Sequence, residues 1–418
     1  MVMLYHAMGD RMITMTNKPS IFGGASIVAS VCVGAGMLGL PTAGAGAWML
    51  WSALALIITM LVMTVSGWML LEALKNYEYR ASFSTVTKDL LGNKVNLVNN
   101  VMVYFVGGIL LYAYITSAGL MIEKVVNVSS EVASILFAFV FSAFVLHSTR
   151  SVDRVSVILI IFMILSFLFG VFGLTFNVDM SNLFNGFSQE SHYFPYVFAM
   201  FPVALTSFGY HHSVASLRSY YKSEDLAKRA ILIGTLIALC LYVVWVFSVY
   251  GNLPRYEFGP VISQGGDVDV LLSSLGGAIE SERVSNIISI FSAAAIFSSF
   301  VGVGLGVFDF IADLLGFENN RKGRMKTWVA TFFPPLVLSL FFPFGFLIAI
   351  GYAGAAATVW TCIVPALLAR KSRAMATGEA GFVAPGGSKM IVLVVFYGVA
   401  VAVLHFMGVL GLLPHPGL

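Results

Sequence analysis

Long apolar runs separated by short, base-rich connections dictate what this chain can fold into. Eleven stretches, at residues 21–47, 48–74, 98–123, 132–149, 155–176, 194–217, 230–250, 284–308, 327–344, 345–369 and 390–413, read as membrane helices, since crossing the hydrocarbon core takes about 20 apolar residues. The junctions at 47/48 and 344/345 carry no charge, but each run there is too long for one helix and holds Gly or Pro near its middle. Charged residues make up only 10% of the chain and apolar ones 59%, with a mean hydropathy of +0.91. A soluble surface takes roughly 25% charged residues, so the expected class is an all-α polytopic membrane protein whose first partner is the lipid bilayer. The net charge of +3 is too small and too dispersed for a nucleic-acid partner. Cys32, Cys240 and Cys362 share no metal-ligand spacing and form no even disulfide set, and read as small buried apolar residues.

Basic residues concentrate in cytoplasmic loops. With the N-terminus inside, only Lys124, Arg255 and Arg283 of the 23 bases fall outside. The inside clusters include Arg218/Lys222/Lys228/Arg229 and Arg321/Lys322/Arg324/Lys326, and one missed helix would put whole clusters on the wrong side. The apolar run from Ile21 to Trp51 exceeds a secretory h-region of 7–15 residues and is kept as the first helix. The chain then divides into an inner tail (1–20), a first five-helix unit (21–176), an outer loop (177–193), a second five-helix unit (194–369), an inner loop (370–389) and an eleventh helix with an outer C-terminus (390–418). Residues 75–97 suit a short amphipathic surface helix, and in the outer segment 251–283 Gly265-Gly266-Asp267 and Gly276-Gly277 signal turns.

Two helices are interrupted. The first reads Val33-Gly34-Ala35-Gly36-Met37-Leu38-Gly39-Leu40-Pro41; in a helix each Gly costs about 1 kcal/mol against Ala, and Pro about 3. In lipid, freed backbone groups persist only where protein or a water-filled cavity satisfies them; close packing of small residues is the competing reading. The sixth carries Ser207-Phe208-Gly209-Tyr210-His211-His212-Ser213 in mid-span, where polar groups are costly and mark functional candidates. Gly34 lies 13 residues into its helix and Ser207 13 residues into its own, and the two five-helix units have similar lengths. This is the pattern of a 5+5 inverted repeat whose discontinuous first helices meet at the midplane. Helix N-termini suit a carboxylate and helix C-termini an ammonium or metal cation, so a zwitterion fits both.

At these residues the chain resembles the bacterial aromatic amino acid permeases, the hydroxy/aromatic amino acid permease family of the amino acid–polyamine–cation superfamily. The matching segments include Gly34-Ala35-Gly36-Met37, Thr85 to Gly92, Tyr112-Ala113-Tyr114-Ile115, Ser207-Phe208-Gly209-Tyr210-His211, Gly251 to Arg255, Ser298 to Leu315 and Gly351-Tyr352-Ala353-Gly354. They run in order from helix 1 to helix 10. The resemblance implies an eleven-helix fold like that of the leucine transporter, in the bacterial inner membrane with the outer side periplasmic, importing an aromatic amino acid. Phe83 with the TVTKDLLG segment is closer to tryptophan permeases than to the tyrosine branch. Three segments depart from the family pattern: Val31 replaces a Thr, His212 to Ser216 lose a Gly and a Pro, and Met163 lies where close relatives carry a Lys.

The expected substrate site is the backbone of Gly34, Ala35, Gly36 and Met37 with Ser207, Phe208, Gly209, Tyr210 and His211. Phe208 and Tyr210 either gate or stack on an aromatic substrate or pack as ordinary apolar residues. Tyr114 and Ser117 share a helix face and either line the pocket or bond between helices. Ser298 and Ser299 resemble the hydroxyl pair that completes a cation site in relatives of this fold. His211 and His212 either carry a proton or shape the break as neutral rings. Asp309 and Asp313, four apart near the bases at 321–326, and Glu72 near Lys75 read as structural or gating ion pairs. No cofactor is expected beyond a coupling cation, proton or sodium, and no obligate protein partner is evident. A channel filter, an H-E-x-x-H or G-x-S-x-G enzyme motif and a phosphate-binding G-x-x-x-x-G-K-[ST] loop are all absent from the sequence.

Overall fold

A computed structural model describes residues 20–79, 81–147, 149–184, 192–278, 282–318, 320–342, 345–375 and 381–414, with backbone alone at 35, 149–157, 160, 282 and 284. The described residues are helical throughout, with no strand. In chain order the main helices are α1 (Ile21–Cys32), α2 (Ala35–Ala43), α3 (Trp48–Leu74), α4 (Phe83–Leu91), α5 (Asn93–Val126), α6 (Ser130–His147) and α7 (Thr149–Phe176). They continue with α8 (Phe201–Ser207), α9 (Val214–Tyr221), α10 (Glu224–Asn252), α11 (Val268–Ala278), α12 (Glu282–Leu315), α13 (Arg321–Phe341), α14 (Phe346–Thr358), α15 (Val364–Met375) and α16 (Gly387–Val409).

Among the described residues, seven helices are long and apolar enough to cross a membrane, and eight if the bent pair α1–α2 counts as one span. Those seven are α3, α5, α6, α10, α12, the α14–α15 run and α16. The surface explains where the apolar side chains go. Phe169, Phe172, Phe176, Val392 and Phe396 are each more than 60% exposed, a lipid-facing pattern that a soluble monomer does not display over such an area. Polar side chains turn inward and tie helices together: Thr59 Oγ1 lies 2.6 Å from the Tyr397 hydroxyl, Thr64 Oγ1 2.8 Å from Thr235 Oγ1, and Ser66 donates to Thr361 O. In lipid such bonds contribute about 0.6 kcal/mol each.

Both uncharged junctions divide as expected. A turn at Gly44–Ala47 separates α2 from α3, and Gly345, at φ 106°, starts α14. The amphipathic segment forms α4, where the Ser82 hydroxyl accepts from Thr85 N at 3.1 Å as an N-cap. Gly265 and Gly266 turn the chain with positive φ before α11, whereas Gly276 and Gly277 lie inside α11, because one apolar face of that helix is buried through Leu275. Cys32 and Cys362 are buried as expected. Cys240 is exposed, since it sits on the outer face of α10. α7 packs along α12, α10 along α1, and α14 along α5, which brings the two interrupted segments into the centre.

Candidate functional site at the two helix breaks

The first break is a backbone event. The Val33 amide donates to Ala29 O at 2.8 Å and ends α1; Gly34 is extended, and α2 restarts with Met37 N donating to Gly34 O at 3.0 Å. The two helix axes differ by 56°. Pro41 inside α2 lacks an amide hydrogen, so Met37 O also loses its usual helical donor. The second segment enters as a 3-10 turn (Phe194–Met200), becomes α8, and ends where Phe208 N and Gly209 N fold back on Leu205 O and Thr206 O at 3.1 Å each. After Gly209 and Tyr210, a 3-10 turn at His211–Ser213 leads into α9.

The breaks touch. A β-carbon on Gly36 would stand 2.9 Å from Ser207 Oγ and 3.2 Å from Ser207 Cα, and one on Gly34 would stand 2.8 Å from Ser299 Oγ. Tyr114 is buried and its hydroxyl interacts with Ser299. Ser117, one turn on, is buried with no hydrogen-bond partner for its Oγ among the described residues. Ser298 Oγ donates to Ala295 O at 3.2 Å and lies 4.0 Å from the Met163 sulfur. The Met163 thioether is therefore beside this serine. Gly34, Gly36, Ser207, Ser299 and Tyr114 thus form one cluster, with Met37 fully buried behind it. The side chain of Ala35 lies outside the described residues.

Phe208 is fully buried and meets the Tyr242 ring edge-on at 5.0 Å. Tyr210 donates to Met63 O at 2.9 Å and stacks on His211 at 4.8 Å. His211 is fully buried, edge-on to Trp360 at 6.2 Å, and neither ring nitrogen has a hydrogen-bond partner among the described residues. His212, by contrast, is exposed. Asp309 and Asp313 are surface-exposed near one helix end, with Arg324 in electrostatic reach of Asp309. Glu72 does not pair with Lys75: its carboxylate accepts both arms of Arg373 at 2.8 Å and Ala384 N at 2.9 Å. Lys75 donates instead to Phe382 O at 2.8 Å, because the segment after α15 folds back over the end of α3.

Four residues escaped the sequence reading. Tyr242 of α10 places its hydroxyl 2.6 Å from Cys32 O and 2.6 Å from Ser207 O; its signal was a tyrosine in mid-span, whose hydroxyl needs a partner when buried. Arg218, at the end of α9, donates to Lys75 O, Tyr77 O and Glu78 O at 3.0–3.3 Å and pairs with Glu224 at 2.8 Å. Nearby, Tyr221 donates to Ser20 O at 2.7 Å and accepts from Gly24 N at 3.0 Å, tying α9 to the start of α1. At the other end of the molecule Arg255 is buried, donates to Ala45 O (3.2 Å) and Gly46 O (3.1 Å) beyond α2, and covers the Tyr193 ring beside the 3-10 entry to α8. Both arginines were legible only as loop bases. A cavity of about 500 Å³, lined by Met121, Lys124, Asp269, Leu272 and Phe297 among others, lies apart from the breaks and shares no residue with them.

The two interrupted segments meet at Gly36 and Ser207, and the chain beyond each break is pinned separately. The chain belongs to the tryptophan/tyrosine permease family, whose model matches residues 17–405. This is a family of permeases, not of enzymes. The chain is 46% identical over 395 residues to a tryptophan-specific transport protein of Haemophilus influenzae, covering 91% of this chain and 94% of that one. It is 43% identical to a tryptophan-specific transport protein of Pseudomonas aeruginosa, covering 96% and 98%, and 33% identical to a tyrosine permease of Enterobacter agglomerans, covering 96% and 99%.

Proposed function

We propose that this protein imports an aromatic amino acid, tryptophan in the first place, by ion-coupled symport with alternating access. The observation that carries this reading is the meeting of the two breaks at Gly36 and Ser207. The C-terminal carbonyls of α1 and α8 face one locus there and suit an ammonium group, while the N-terminus of α2 suits a carboxylate. Gly34, Ala35, Gly36 and Met37 with Ser207 and Gly209 hold the zwitterion by backbone; Phe208, Tyr210 and His211 border the ring; Tyr114 and Ser117 close the pocket from α5. Ser298 and Ser299 offer oxygens to the coupling cation, proton or sodium. The names of the relatives favour tryptophan over tyrosine, which is the runner-up.

In this reading α7, α13 and the interrupted 194–221 segment complete eleven crossings. The units 21–176 and 194–369 are the inverted repeats, and the N-terminus faces the cytoplasm of the inner membrane. Arg218 and Tyr221 then close the cytoplasmic side and Arg255 the periplasmic side. Uptake of labelled tryptophan, tyrosine and serine into liposomes, under a sodium or a proton gradient imposed separately, tests this. Tryptophan is expected to accumulate under one of the two gradients. Uptake of none of the three overturns the substrate class, and uptake indifferent to both gradients overturns symport.

A further inference from the structure

Three buried oxygen atoms meet between the breaks. The Tyr242 hydroxyl is 2.6 Å from Cys32 O and 2.6 Å from Ser207 O, and the Tyr242 side chain is fully buried. A phenol carries one hydrogen, so it donates to one carbonyl at a time while the other faces its lone pairs at the same short distance. Cys32 ends α1 and Ser207 ends α8, so both carbonyls carry the partial negative charge of a helix C-terminus. The cluster therefore joins two helix ends and three oxygens through one hydrogen. A positively charged group with several N–H donors complements it; a primary ammonium has three. The phenol is held in place by the body of α10 and by the edge-on contact with Phe208 at 5.0 Å.

We propose that Tyr242 is the positioning residue of the transport cycle. In the structure its hydroxyl stands between the ends of the two broken helices and links them by donating to one carbonyl at a time. The ammonium group of an amino acid takes over that link, donating to Cys32 O, Ser207 O and the phenol oxygen, while the phenol hydrogen stays on a second lone pair of one carbonyl. This rests on the reading of the breaks as an amino acid site. Because the phenol touches both helix ends, the amine is recognised only where α1 and α8 are brought together, which couples recognition of the substrate to the register of the two repeats.

The test uses the purified full-length protein and competition against labelled tryptophan by tryptamine, which keeps the ammonium, and by indole-3-propionate, which lacks it. In Tyr242→Phe, tryptophan and tryptamine are expected to lose about ten- to hundredfold in affinity, with indole-3-propionate unchanged. An equal loss for all three ligands, or a loss for none, overturns the proposal. A loss of sodium dependence with amine discrimination intact also overturns it and gives the oxygens to a metal cation. Should Tyr242→Phe fail to fold, the wild-type protein is tested with N,N-dimethyltryptophan: a weakening of at least tenfold is expected, and binding equal to that of tryptophan overturns the proposal. Wild-type protein that binds neither tryptophan nor tryptamine overturns the underlying site reading instead.

Discussion

Gly36 and Ser207 approach so closely that a β-carbon on the glycine would stand 3.2 Å from the backbone Cα of the serine. A hydroxyl can rotate away from a new methyl group; a backbone atom of a packed helix end cannot. The contact therefore fixes the spacing between the two breaks, and with it the width of the site.

Gly36→Val is accordingly expected to abolish binding of labelled tryptophan while the protein still elutes as a folded monodisperse species. Gly36→Ala should weaken binding by about tenfold, equivalent to about 1.4 kcal/mol. Undiminished binding in Gly36→Val would reduce the first break to a packing seam.

The arginine clamps act at opposite ends of the molecule, and Cys32 reports on them from the break between. In a Cys240→Ser background, which removes the exposed thiol, Arg218→Ala is expected to open Cys32 to a membrane-impermeant maleimide from the α9 side. Arg255→Ala is expected to open it from the α2 side. Equal labelling of both variants from both sides would dissociate the clamps from gating.

Glu72 is fully buried and Arg373 keeps part of its guanidinium exposed, with side-chain exposures of 0% and 21%. Removing one partner of a buried pair leaves the other uncompensated at a cost of about 3–5 kcal/mol, and the hydration left to Arg373 lowers that. Glu72→Ala is expected to cost about 2–3 kcal/mol, read as a fall in the thermal unfolding temperature in detergent. Glu72→Gln, which keeps acceptors for Ala384 N and one arm of Arg373, should lose less.

Asp267 accepts from Phe346 N at 3.1 Å. Burial pushes its carboxyl up to about 6, with Asp269 adding to the rise and the Phe346 and Gly345 amides opposing it. The folded state therefore holds this proton more tightly than the unfolded chain, so the stability it contributes is full below about pH 4 and lost as pH rises through about 6. Asp267→Asn keeps the acceptor without the charge. It is expected to raise the unfolding temperature above pH 6 and to flatten the slope between pH 4 and 6; the gain is at most about 3 kcal/mol. A slope identical to wild type would exclude Asp267 as its source.

Much of this protein was legible locally. Hydropathy separates membrane segments from connections because the bilayer penalises charge wherever it falls along a helix, and the two uncharged junctions divided where Gly and Pro weaken the helix. Gly34, Gly36 and Pro41 marked the first break, and Ser207 to His211 the second, because helix interruption is a property of a few consecutive residues. Pairings between distant residues were not legible. Arg373 and Glu72 are 301 residues apart and Tyr242 and Cys32 are 210 apart, and no spacing rule joins such positions. Lys75 was the nearer base to Glu72 in sequence, yet the chain after α15 brings Arg373 to it. The sequence by itself determined that the chain is helical and polytopic and where two helices break, since both follow from the transfer and conformational costs of neighbouring residues. Only the tertiary structure decided that the breaks meet at Gly36 and Ser207 and share the Tyr242 hydroxyl, because hydrogen bonds form across a few ångströms of space whatever the length of chain between their partners.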